Sequence, residues 1–360
     1  MRHLVVHSYF CPDASHRPGG VQQIIGPLLT LLRDEFAWSI QVVHSGPCTS
    51  TSRHAVIPSC IDPSQPDATE PDLLAAAARM FTAVSRNADV VLSIDRALPA
   101  RIGVPSVLMS NTLGYQTELC AVSAGCWNRI ITPTNHFKSR LRALDRVVKI
   151  AVVPYGLSHE TRSKLRSLGP PPLDALWVVR IPHRPDRRKG HATAIEGLGR
   201  SVSKSRNALL EIAWLDEERY AGFRSELERF ARTQGVTEQI VFRPWDDDEQ
   251  RWECIGRSCA TLQLGTFEET FGLACLESAL AGRPVLTCRQ PAIREVIGAS
   301  GLHVELSEPL EWLPRLDHVL RNPKPVTLRN ARVRPWDNGF TQERMAARYD
   351  TVLRAAMQSA

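Results

Sequence analysis

Glu269 and Glu277 stand eight positions apart in Thr266-Phe-Glu-Glu-Thr-Phe-Gly-Leu-Ala-Cys-Leu-Glu277, which runs on into Ser-Ala-Leu-Ala-Gly-Arg-Pro-Val-Leu286. The spacing puts the first carboxylate in a loop and the second inside a helix that Phe271-Gly272-Leu273 opens, with Thr270 as its N-cap. Gly282 closes that helix and Pro284 forbids its continuation. A helix start entered through a glycine suits an anion, because free backbone N–H groups and the helix dipole point at the ligand. Carboxylates nearby accept hydrogen bonds from hydroxyl groups. An anion carrying many hydroxyls would satisfy both halves of the segment.

Positioning such a segment takes a rigid frame, and short apolar runs alternating with helical periodicity supply one. This is the pattern of parallel sheets wrapped in helices, so the fold class is α/β. Strands are expected at residues 4–6, 40–43, 90–93, 107–109, 130–132 and 150–153, then at 176–179, 209–213, 240–242, 260–264 and 285–287. Each set builds one doubly wound unit. The first helix carries Val21, Ile24, Ile25, Leu28, Leu31 and Leu32 on one face, and Gly26-Pro27 should kink or split it. Gly169-Pro170-Pro171-Pro172 admits no regular element and marks a linker. The domains are therefore placed at 1–168 and 169–335, with a last helix over 336–360. That helix has Thr341 as N-cap and Met345, Tyr349, Val352 and Leu353 on one face.

The chain has 360 residues, enough for two domains; 43% are hydrophobic and 23% charged, as in a water-soluble globular protein. No apolar run is long enough to cross a bilayer, and the N-terminus enters a strand without a signal-peptide core. Nine cysteines without paired spacing indicate a reducing, cytoplasmic setting. The net charge of +6 is spread thinly, without the aromatic-laced basic stripe of a nucleic-acid binder. Lys138, Arg140, Arg142, Arg146 and Lys149 decorate an otherwise apolar helix. A solvated face is the first reading of it, and peripheral contact with an anionic membrane stays open. Asp246-Asp247-Asp248-Glu249 reads as the cap of the following helix rather than a metal site, and neither Cys254 with Cys259 nor Cys120 with Cys126 has clustered partners.

The Glu269-to-Val285 segment resembles the Glu-x7-Glu signature of retaining GT-B glycosyltransferases, family GT4. Thr270, Ala274 and Ser278 depart from the usual residues. The resemblance implies two Rossmann-like domains facing across a cleft, the second binding a nucleotide sugar and the last helix crossing back to the first. It implies that Glu269 accepts hydrogen bonds from the donor sugar and Glu277 from the ribose, with Thr270, Phe271 and the N–H groups of Gly272 and Leu273 around the donor. Arg184-Pro-Asp-Arg-Arg-Lys189-Gly190 resembles the loop whose Arg and Lys hold the diphosphate, where fixed cations stabilise charge growing on the departing phosphate. His183 replaces a glycine there. Arg180 stays an alternative to Arg184, should the strand end earlier. Gly19-Gly20 resembles the glycine pair that lets the first domain approach the donor, and Arg243 lies where the nucleotide base is met. Val153-Pro-Tyr155-Gly-Leu157 matches the end of the first domain. Asn111 stands where many relatives carry a histidine, so Asn111 and Tyr155 are candidates for sugar or acceptor contact. Gln290-Pro291-Ala292 replaces a Gly-Gly pair.

The resemblance implies sugar transfer from a nucleoside-diphosphate sugar, UDP-sugar first, to an acceptor hydroxyl, with retention and without metal or cofactor. The acceptor stays open among a small molecule, a glycan and a lipid-linked sugar. Two alternatives remain: a sugar-nucleotide epimerase on the same fold, and a silent nucleotide-sugar-binding subunit.

Overall fold

Strands buried on both faces need continuous apolar sequence, and the chain places its most apolar runs in two parallel sheets. A computed structural model describes residues 2–8, 22–44, 55–56, 81–94, 103–111, 122, 127–144, 148–170, 177–182, 185–201, 208–214, 218–244, 247–321 and 339–359. The chain divides into one unit of Met1–Leu157 with Gly339–Ala360 and another of Ser158–Asn338.

The first unit is built on β1 (Arg2–Ser8), β2 (Trp38–His44), β3 (Ala55–Val56), β4 (Val90–Ile94), β5 (Ser106–Met109), β6 (Arg129–Thr132) and β7 (Lys149–Val152), in the order β3-β2-β1-β4-β5-β6-β7. Every residue of β4 is buried. Val5, Val91, Leu108 and Ile130 face Phe81, Phe137 and Leu141 in one core. The closing helix, Gln342–Met357, packs on the Gln22–Asp34 helix and on β4, β5 and β6. Thr341 caps it by accepting from the Arg344 N–H at 3.2 Å, as its sequence indicates. Trp38 anchors it through a 2.8 Å hydrogen bond from Nε1 to Asp350.

The second unit is built on β8 (Trp177–Ile181), β9 (Ala208–Trp214), β10 (Ile240–Pro244), β11 (Ala260–Gln263), β12 (Val285–Thr287) and β13 (His303–Glu305), in the order β10-β9-β8-β11-β12-β13. Trp177, Val179 and Ile181 pack with Ile195, Leu198 and Trp312 on one face. In each sheet the order reverses beside its first strand, at β1/β4 and at β8/β11. Ligands of doubly wound sheets lie at the carboxyl ends of strands at such a reversal.

The structure corrects four sequence expectations. The Gln22–Asp34 helix continues through Pro27 instead of splitting. Pro27 removes one backbone bond, but Ile24, Ile25, Leu28 and Leu32 are buried on both sides of it and hold the helix in register. The first boundary lies before Ser158 rather than after Ser167-Leu168, because the His159–Ser167 helix packs on the Asp248–Arg257 and Leu273–Leu280 helices of the second unit. The basic segment is no single helix: it ends at Leu144 with Phe137 and Leu141 buried, and Lys149 opens β7. β3, two residues long, is too short for any periodicity to show, and β13, His303-Val304-Glu305, offers one apolar residue between two polar ones. Among the described residues no helix is long and apolar enough to cross a membrane.

Candidate functional site

The reversal point of the second sheet brings together the loops that follow β8 and β11. After β8, Asp186 caps a short 3-10 turn over Arg187–Lys189, and Gly190 ends it in the left-handed region at φ 85°. After β11 comes Gly265. The two loops touch backbone to backbone: a β-carbon on Gly265 would lie 2.1 Å from the Arg188 carbonyl oxygen, and one on Gly190 would lie 2.6 Å from the Gly265 nitrogen. Phe267 N–H donates to the Arg188 carbonyl at 3.1 Å, which fastens the pair. Only glycine at both positions allows this approach.

The basic turn sorts its three cations by this geometry. Arg187 pairs with Glu226 and Arg188 with Asp186, both at the surface. Lys189 turns inward, is buried, donates to the Glu269 carboxylate, and sets its ammonium 3.9 Å from the Phe267 ring centre. Gln263, the last residue of β11, donates to the same Glu269 oxygen at 3.0 Å. A cation and a carboxylate expected from separate motifs therefore meet at one point.

Beyond the loop, Gly272 enters the Leu273–Leu280 helix at φ 81° and ψ 57°. This corrects the expectation that Thr270 caps it. The chain must turn through the left-handed region to enter the helix, and a β-carbon on Gly272 would press on Ile293 at 2.9 Å. The first backbone bond of the helix runs from the Cys275 N–H to the Gly272 carbonyl, so the Leu273 and Ala274 N–H groups precede the ladder. Phe271 and Thr270 are buried beside this turn.

Glu277 is buried one helical turn further in. Its carboxylate lies 3.2 Å from Arg251 of the Asp248–Arg257 helix, and Arg251 also meets Asp248 at 3.1 Å. Burial pushes the Glu277 carboxyl up from its ordinary range, and the Arg251 and Arg180 guanidiniums oppose that rise. Arg180 itself is not in the loop. β8 extends through Ile181, so the condition for Arg180 to serve as the phosphate arginine fails. It is buried in the sheet with its Nε 4.0 Å from Glu211. Glu211 takes two bonds from Arg257, at 2.9 and 2.6 Å, and Arg243 stands half-exposed 3.9 Å away at the end of β10.

Arg184, Gly19 and Gly20 lie outside the described residues, as does His183. In the first unit, Asn111 and Tyr155 are both buried, and the Tyr155 hydroxyl donates to the Asn111 side-chain oxygen. Asp247 caps the helix after it by accepting from the Gln250 N–H at 2.8 Å. Cys254 and Cys259 are free and buried, and no group of metal-ligating side chains occurs among the described residues.

Gln263 and Arg251 were not singled out from the sequence. Each left a signal: Gln263 is a polar end to an apolar strand just before Gly265. Arg251 shares the inward helical face of Cys254 and Ile255, an unusual place for an arginine.

Residues 176–334 match the family described as glycosyl transferases group 1. No curated protein matches the chain by sequence. Similarity over the whole chain is structural. A sucrose-phosphate synthase from Thermosynechococcus elongatus superposes with a TM-score of 0.77 at 16% identity over all of both chains. A glycosyltransferase from Rickettsia africae ESF-5 gives 0.76 at 13%, over 100% of this chain and 99% of that one. Anabaena HepE in complex with UDP-glucose gives 0.73 at 16%, over 99% and 100%. The fold is that of the GT-B glycosyltransferases.

Proposed function

We propose that the protein is a glycosyltransferase that takes a sugar from a nucleoside-diphosphate sugar, UDP-linked in the first instance, and passes it to an acceptor hydroxyl. The observation that carries this reading is the meeting of Lys189 and Glu269 at the sheet reversal, beside a helix entered through Gly272. The group 1 match over the same unit supports it, as does the likeness of fold to HepE, whose structure holds UDP-glucose.

Each residue then has a task set by its chemistry. Lys189 holds a diphosphate oxygen and stabilises the charge that grows there as the glycosidic bond breaks, joined by Arg184 from the same loop. The Gly272 and Leu273 N–H groups serve the same oxygens through the helix start. Glu269 accepts from the donor sugar's hydroxyls and Glu277 from the ribose. Arg243, Thr270 and Phe271 border the donor. Gly19, Gly20, Asn111 and Tyr155 belong to the first unit's share of the donor or acceptor. Retention without a metal follows from this division of labour: the leaving phosphate oxygen takes the acceptor's proton on the same face, and two cations do a metal's work.

Thermal unfolding against UDP-, GDP-, dTDP- and ADP-sugars tests the reading. A ligand at 100 times its Kd adds about 2.7 kcal/mol to the unit that binds it. One nucleotide class should raise the midpoint, and Lys189→Ala should abolish the shift. A panel without effect would sink the proposal, and conversion of the donor without any acceptor would replace transfer by epimerisation.

A further inference from the structure

Gln290 stands where the resemblance leads one to expect glycine, and its side chain is used up in a way glycine could not match. It occupies the N-cap position of the Pro291–Ile297 helix but does not cap it. Its amide turns instead into the loop after β11. Nε2 donates to the Gly265 carbonyl at 3.1 Å and to the Phe267 carbonyl at 2.9 Å, and Oε1 accepts from the Glu269 N–H at 3.1 Å. The side chain is 4% exposed. The network also fixes its orientation, since a flipped amide would set its oxygen against two carbonyls.

The loop from Gly265 to Glu269 is thus pinned on two sides. The Arg188-Lys189 backbone holds it at Gly265 and Phe267, and Gln290 holds it at Gly265, Phe267 and Glu269. The N–H groups of Phe267 and Glu269 are both committed, so at these two positions the loop meets a ligand through side chains. The Glu269 carboxylate leaves this pinned backbone directly towards Lys189 and Gln263.

We propose that Gln290 is a positioning residue of the donor site, whose amide sets the Gly265–Glu269 loop so that the Glu269 carboxylate is presented to the donor sugar. The inference rests on the donor reading above. Its chemistry is specific: an amide is the one uncharged side-chain end that donates twice and accepts once at this reach. Gln290→Glu keeps the size and an acceptor for the Glu269 N–H but loses both donors and faces two carbonyls with charge.

Titration calorimetry with UDP and with UDP-glucose tests it, on the wild type, Gln290→Glu, Glu269→Gln and the double variant. Because Gln290 acts through Glu269, UDP affinity should stay within about twofold in Gln290→Glu. UDP-glucose affinity should fall about tenfold, as for loss of a hydrogen bond to a charged group. In the Glu269→Gln background the second change should add nothing. Amide exchange at Phe267 and Glu269 should quicken in Gln290→Glu by more than at the core strands of the same unit, whose protection reports any general loss of stability. Equal weakening of both ligands, multiplicative effects in the cycle, or unchanged exchange would overturn the inference and leave the donor reading standing. A wild type that binds neither ligand would overturn the donor reading itself.

Discussion

At the scale of single residues, the candidate site is a set of charges kept in place by other charges. Glu277 is buried against Arg251, so replacing it by alanine would open a gap in the core and leave that buried guanidinium with only the more exposed Asp248 as its carboxylate partner, which costs stability. Glu277→Gln is the informative change, because it keeps the volume and an acceptor. Calorimetry should show UDP affinity down by ten- to a hundredfold, about 1.5–3 kcal/mol for hydrogen bonds to a charged group, with the fold intact. Unaltered UDP binding would remove Glu277 from the ribose. Lys189 and Glu269 occupy each other in the free protein. Under the proposed function a donor entering between them would replace one ion pair by two separate contacts, and binding should then be more salt-tolerant than a naked lysine would allow, since the lysine brings few counterions to release.

At the scale of elements, two loops and one strand end make separate predictions. Gly265→Ala drives a β-carbon into the Arg188 carbonyl at 2.1 Å, so the two loops must part. The expected cost is about 1–3 kcal/mol, seen as a lower midpoint in calorimetric melting together with loss of the nucleotide-induced shift. His7, at the end of β1, is buried against Phe81 with its Nδ1 3.2 Å from the Ser93 hydroxyl. Burial lowers its pKa from 6.5 to about 4. The imidazole is neutral in both folded and unfolded chains above pH 6.5, so its contribution to stability is complete there. Between pH 6.5 and about 4 the unfolded chain takes up a proton that the folded chain refuses, and roughly 3 kcal/mol is lost on the way down. Urea denaturation at pH 7.5 and pH 5 should show this slope, and His7→Leu should flatten it. A slope of the same size in the variant would assign the titration to another group.

At the scale of the whole molecule, the chain leaves the first unit once and returns once, side by side. Leu157 N–H donates to the Phe340 carbonyl at 3.0 Å, and a β-carbon on Gly156 would lie 2.2 Å from the Thr341 carbonyl carbon. The returning helix buries Met345, Tyr349, Val352 and Leu353, so it is a structural part of the first unit although it comes last in the chain. Truncation after Asn338 should expose apolar surface on β4, β5 and β6. The first unit's thermal transition should disappear, while the transition of the second unit stays where it was. Two intact transitions in the truncated protein would contradict this account.

Much of this architecture is local, and local structure is readable from residues alone. Apolar runs located eleven strands because most of them lie inside a sheet covered by helices, and Thr341, Gly282 and Asp247 marked helix ends because caps act within one turn. The places of Glu269, Gly272 and Glu277 in loop, helix entry and helix were legible because the three follow one another in a single segment, and that of Lys189 because Gly190 and a helix follow it in another. Packing decided the remainder. Pro27 sits inside a helix because its neighbours are buried, and the first boundary moved to Ser158 because a short helix found partners in the second unit. Gln263, Arg251 and Gln290 acquire their roles only when parallel strands set β11 between β8 and β12. A hydrogen bond between residues 80 positions apart, such as that of Lys189 to Glu269, leaves no periodicity in the chain. It exists because two sheet loops end at the same reversal point, which is a property of strand order and not of any one segment.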